Sequence, residues 1–136
     1  MAGTVTVTRQ RTPIDPHKKG EASLDVISIA FVADVAAATV PTTIIEDVRG
    51  QLVRMVTNPG VPAPSDDYDF VLNDEDGFDV LDGAGTNRDQ SNSEEVPLSM
   101  ATGVPRPVAG GDLSFVLTGN AVNSAQGLVK LYVLQP

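Results

Sequence analysis

Carboxylates are the reactive groups this chain has in quantity, and they are bunched. Eleven of its eighteen Asp and Glu residues fall between residues 66 and 95, where Arg88 is the single base. Asn73-Asp74-Glu75-Asp76-Gly77 invites comparison with a calcium loop. Aligning Gly77 with the invariant glycine of an EF-hand puts Asp74 and Asp76 at ligand positions. It also puts Leu72 where the first aspartate belongs and Gly83 where the bidentate glutamate belongs. An irregular site built from Asp74, Asp76 and Asp79 is the remaining calcium reading. Its plainer rival is a solvated turn, acidic because Asp and Asn side chains hydrogen-bond to turn backbone.

Other chemistry finds little support. Glycoside hydrolysis needs two carboxyls across a cleft, one with a raised pKa, and no acid here has an apolar sequence setting that would raise it. His17, the one histidine, lies between Pro16 and Lys18, a poor mount for a general base. There is no Gly-x-Ser-x-Gly elbow, and Gly83-Ala84-Gly85 lacks the Lys-Ser or Lys-Thr of a phosphate loop. Cysteine is absent, which removes disulfides and thiolate metal sites. These features predict a protein that is not an enzyme and uses no cofactor or small-molecule substrate. The net charge of -9 argues against nucleic acid as a partner. No apolar run approaches the roughly 20 residues of a membrane span, and no basic-then-apolar leader opens the chain.

The acidic cluster must be positioned by the residues around it. Tyr68, Phe70 and Leu72 alternate on one face of a strand, and Phe78 and Val80 match them on the return, which predicts a hairpin over 68–81. An odd-numbered loop keeps Leu72 opposite Phe78 or Val80, whereas an even one sets it against Asp79. Gly77 then takes the positive-φ position. Phe78 is expected to point inward, so that Phe78→Asp would destroy the fold.

Along the rest of the chain, Thr4-Val5-Thr6-Val7-Thr8 is β-branched throughout and reads as a strand. Residues 9–20, with Pro13, Pro16 and Gly20, read as a loop or mobile arm. Strand 4–8 can pair within its own subunit or add to a neighbour's sheet edge. Residues 22–33 are apolar on both faces: Ile27, Ile29 and Phe31 on one, Leu24, Val26, Ala30 and Val32 on the other. Such a strand is central, or is covered outside by another subunit. Residues 42–58 are ambiguous. Ile44, Ile45, Val48, Leu52 and Met55 nearly make a helical stripe, and the reading is a turn or short helix over 43–47 followed by a strand over 50–57. Residues 82–95 read as a polar connection or a short polar helix, and Val96-Pro97-Leu98 as the return to the body. Val104-Pro105-Arg106-Pro107 reads as extended but barred from mid-sheet. Strands close the chain, with Leu113, Phe115 and Leu117, then Val129, Leu131 and Val133, facing inward. The fold class is all-β: a β-sandwich or jelly-roll-like barrel of about six to eight short strands with an extended N-terminal arm. The division is an arm and linker over 1–20 and a β domain over 21–136.

Several segments together resemble a family of small virion proteins. They are Arg54-Met55-Val56-Thr57-Asn58-Pro59-Gly60, the stretch 64–81 with its Asp74-Glu75-Asp76-Gly77 turn, Gly83-Ala84-Gly85-Thr86-Asn87-Arg88, and the closing strand 127–134. They are similar to the head decoration, or cement, proteins of tailed bacteriophages. The pattern does not extend to residues 9–19 or 42–47. The resemblance implies a cofactor-free homotrimer on the outer surface of the phage head, where it clamps neighbouring major capsid protein subunits and stabilises the capsid. The residues expected at subunit interfaces are Val5, Val7, Arg9, Arg11, Lys18 and Lys19, from the β-prone arm and its basic linker. The alternatives are a tail or fibre component and, in a different class, a calcium-dependent surface-binding β module.

Overall fold

Seven strands and no helix make up the computed structural model, which describes residues 2–15, 17, 22–98 and 106–135. They are β1 (Thr4–Pro13), β2 (Ser23–Val32), β3 (Thr43–Pro59), β4 (Asp69–Asn73), β5 (Glu94–Pro97), β6 (Arg106–Thr118) and β7 (Gln126–Gln135). All pairings are antiparallel, in the order β1-β2-β7-β3-β6-β4, with β5 also on β3. The sheet does not close into a barrel, so the sandwich-like member of the two expected architectures is the one observed.

How one sheet makes a two-sided core follows from distances. Strands β2 and β4 are four spacings apart in the order, roughly 19 Å on a flat sheet. Yet the rings of Phe31 on β2 and Tyr68 just before β4 are 6.3 Å apart, and Phe31 and Phe115 on β6 are 6.4 Å apart. The sheet must therefore fold over on itself. Strand β3 makes the fold. Its first part pairs β6 and its last part pairs β7 on one side and β5 on the other, so β3 belongs to both layers. Register shifts fall between Ile45 and Val48, between Val48 and Gly50, and between Leu52 and Arg54. Such bulges bend a strand and increase its twist. At Gly50 φ is 121°, and a Cβ there would sit 2.3 Å from the Leu134 carbonyl oxygen, so glycine is required.

The bulges correct the expected turn or helix over 43–47. Ile45, Val48, Leu52 and Met55 are all buried, at the three- and four-residue steps of a helix. Here the steps arise because bulged residues stretch a strand's two-residue alternation. A second correction concerns residues 9–13, expected as loop and found as the continuation of β1, paired with Ile27 through Ser23 of β2. Elsewhere the inward sets are as expected: Ile27, Ile29 and Phe31; Leu113, Phe115 and Leu117; Val129, Leu131 and Val133.

The second strand of the 68–81 hairpin does not form. Parity holds, because Asn73 bridges Asp79 across the odd stretch 74–78, and Gly77 has φ 85°. But β4 finds its strand partner in β6, and the return leg runs into turns over 80–85. Phe78 is 71% exposed, while Leu81, at 2%, occupies the inward position. Phe78→Asp is consequently a surface change, expected to move stability by no more than about 0.5 kcal/mol in urea unfolding.

Tyr68 and Thr57 carry the core's buried hydroxyls. No well-formed hydrogen bond reaches either one, although the two are close enough to interact. Burial is the main reason the Tyr68 phenol is pushed from 10.0 up to about 12, with the Thr57 hydroxyl opposing it. A phenol that holds its proton more tightly when folded keeps stability level below pH 10 and lets it fall between pH 10 and about 12. Tyr68→Phe should flatten that alkaline slope. The double change with Thr57→Val should be close to neutral at pH 7, because both polar partners leave together.

Candidate interaction surfaces

Strand β1 alternates cleanly. Thr4, Thr6, Thr8, Gln10 and Thr12 point outward and are exposed, while Val5 and Val7 are half-buried against the core. Arg9 and Arg11 continue the inward row and meet Asp25 on β2, the one buried carboxylate among the described residues. Arg9 Nη2 lies 2.7 Å from Asp25 Oδ2, and Arg11 Nη2 lies 4.0 Å from the same oxygen. The Arg9 guanidinium also donates to the backbone carbonyls of Glu46 and Asp47, at the bend of β3. It thus ties the β1 edge to the other layer. Of the residues expected at subunit interfaces, Val5, Val7 and Arg9 have intramolecular work, Arg11 is largely exposed, and Lys18 and Lys19 lie outside the described residues.

The sheet's edges are treated unequally. Along β4 the loop that follows it takes up the outer backbone groups. Phe70 N–H donates to Gly85 O at 3.0 Å, Leu72 N–H to Asp79 Oδ1 at 3.0 Å, and Leu72 O accepts from Val80 N–H at 2.8 Å. Just upstream, Tyr68 O accepts from Arg88 N–H at 2.8 Å. A Cβ at Gly85 would lie 2.2 Å from Phe70 O, so only glycine lets the loop come this close. Along β1, by contrast, no backbone partner other than β2 is found among the described residues. Sequence reasoning missed this contrast, since edge status depends on strand order.

Part of the acidic cluster shapes the loop that makes this seal, and Asp79 bonds β4 directly. Asp79 accepts from the N–H groups of Leu72, Leu81 and Gly83. Asp74 accepts from Asp76 and Phe78, and Asp69 from Asn87. Backbone N–H groups of Ser91 and Asn92 hold the Asp89 carboxyl below the usual range, so what it contributes is present at neutral pH and lost as pH falls through the lowered value. Among the described residues no three His, Asp or Glu side chains are arranged to hold a metal ion. A groove of about 660 Å³ between the bend of β3 and the end of β7 is walled by Arg49, Gly50, Gln51, Val108 and Leu134. Arg49, the one charged wall residue among those described, is bonded to Asp47 at 2.6 Å.

The outer face of the layer β1-β2-β7-β3-β5 is the other broad surface. Leu24, Val26 and Val32 of β2, Leu128, Tyr132 and Leu134 of β7 and Val56 of β3 are only half-buried there. The register places Val26 beside Tyr132 and Tyr132 beside Arg54. Arg54 stacks 4.8 Å from the Tyr132 ring centre and pairs with Glu95 at 3.0 Å. Residues 22–33 are therefore apolar on both sides, but only their inner side is covered within the subunit.

No protein-family model, curated protein or solved structure matches the chain.

Removing Arg9 would strand the Asp25 carboxylate inside the sheet. Arg9→Ala should cost about 3 kcal/mol in chemical unfolding, the low end for a broken buried pair because Arg9 is partly exposed. Arg9→Val combined with Asp25→Val should recover most of that loss.

Proposed function

We propose that this protein is a phage head decoration protein, bound to the outer surface of the capsid and stabilising contacts between major capsid protein subunits. The observation that carries the reading is the uncovered outer face of the β1-β2-β7-β3-β5 layer. Half-buried apolar side chains from three adjacent strands, β2, β7 and β3, surround Lys130 and Ser28 there, with Arg54 stacked on Tyr132. A sheet face that mixes half-exposed apolar side chains with a few polar groups suits contact with another protein. The segment resemblance supplies the identity of the partner. Thr57-Asn58-Pro59-Gly60 ends β3, the Asp74-Glu75-Asp76-Gly77 turn follows β4, and 127–134 is most of β7.

On this reading the protein's work is mechanical. A copy that touches several capsid subunits at once needs no strong single contact, because linked contacts gain affinity through effective concentration. Heads assembled without the protein should bind it and melt at a higher temperature once it is added; unchanged melting would overturn the proposal. Val26→Glu replaces an apolar residue of the outer face beside Tyr132 by a charge without touching the core. It should leave the unfolding midpoint nearly unchanged and reduce head binding by about tenfold or more, the effect of losing an interface anchor.

A further inference from the structure

We propose that Lys130 is the anchor of the outer face, and that the capsid surface docking there supplies a carboxylate to it. The inference rests on the head-binding reading and adds the chemistry that the capsid subunit must present.

Lys130 occupies the middle of the face. In register it lies between Ser28 of β2 and Val56 of β3, and along its own strand Leu128 and Tyr132 flank it on the same side. Strand β7 is the third of five in the β1-β2-β7-β3-β5 layer. Either edge of the layer is therefore two strand spacings away, roughly 10 Å, and the ends of β7 are about 13 Å away. A lysine side chain reaches only about 6 Å from its Cα. That of Lys130 is already half-buried, and it forms no ion pair among the described residues.

Charge on this face is unlike charge on the rest of the chain. Read across the register from β1 to β5, its rows carry Lys130 and Arg54 against Glu95, two positive charges and one negative, on a chain whose net charge is -9. Glu95 is already engaged. Arg54 Nη2 donates to its Oε2 at 3.1 Å, and Arg54 Nε lies 3.0 Å from its Oε1. The uncompensated charge is that of Lys130.

Covering the face turns that charge into a constraint on the partner. A protein laid over Val26, Val56, Leu128 and Tyr132 removes water from Lys130, and the ammonium is too far from the rim to snorkel out to it. A desolvated ammonium without a counter-ion is costly, whereas one that meets a carboxylate is compensated and fixes the orientation of docking. The occupant that fits is an apolar patch of the major capsid protein with an Asp or Glu near its centre. A wholly apolar patch does not fit, and neither does a basic one.

Replacement by methionine separates these cases by sign. Lys130→Met keeps the length and the apolar stem of the side chain and removes its charge. It strands the capsid carboxylate, so binding to heads assembled without the protein should weaken by about tenfold or more, with the unfolding midpoint unchanged. Lys130→Gln, equally uncharged but polar, should weaken binding as well. Unchanged or tighter binding by both variants would overturn the proposal, because the ammonium was then covered without a partner. Val26→Glu would still weaken binding in that event, which leaves the head reading standing. Heads that ignore the unmodified chain altogether would overturn both. Sedimentation of the unmodified chain tests the other occupant: self-association abolished by Lys130→Met would put a carboxylate of a second copy on Lys130 and overturn the capsid assignment.

Discussion

Everything in this fold depends on one strand serving two layers. Strand β3 bonds β6 along its first part and β7 and β5 along its last, and the bulged residues between Ile45 and Arg54 turn it from one layer into the other. Without that bend, Phe31, Tyr68 and Phe115 would lie far apart on a flat surface. With it, they form the centre of the core. Glycine at position 50 is the steric condition for the bend, because the Leu134 carbonyl occupies the space a side chain would need. The Arg9 guanidinium then ties the free edge of one layer to the bend itself. Backbone geometry and a single ion pair thus do what disulfides do in other small β proteins.

The parts of the fold legible in the sequence are those where strand alternation runs undisturbed. Ile27, Ile29 and Phe31, and Val129, Leu131 and Val133, are two residues apart and face the core as their spacing indicates. What was not legible has a specific cause in each case. The inward residues of β3 take helical steps because bulges displace the alternation, and a bulge is set by the partner strand rather than by local sequence. Arg9 and Arg11 look like a solvated linker until Asp25, a buried carboxylate on the neighbouring strand, is placed beside them. Phe78 matches the inward pattern but sits beside a turn whose course is set by the Asp79 carboxylate binding three amides.

The acidic character of residues 66–95 reads differently once these bonds are drawn. A cluster of carboxylates in sequence suggests a cation, but much of this one is directed at backbone N–H groups. Most of those amides lie in turns, so the negative charge is largely a by-product of fixing the loop that covers the β4 side. The candidate surfaces are left where carboxylates are scarce, on the outer layer and along β1.

The unequal edges have a consequence for the solubility of the chain at high concentration. A building block with two open ends can grow without limit, as amyloid and other strand-stacked fibres do. A block with one open end terminates growth as soon as that end is occupied. By closing the β4 side with its own loop, pinned through Gly85, this chain withdraws that strand from the edges on which such stacking could start.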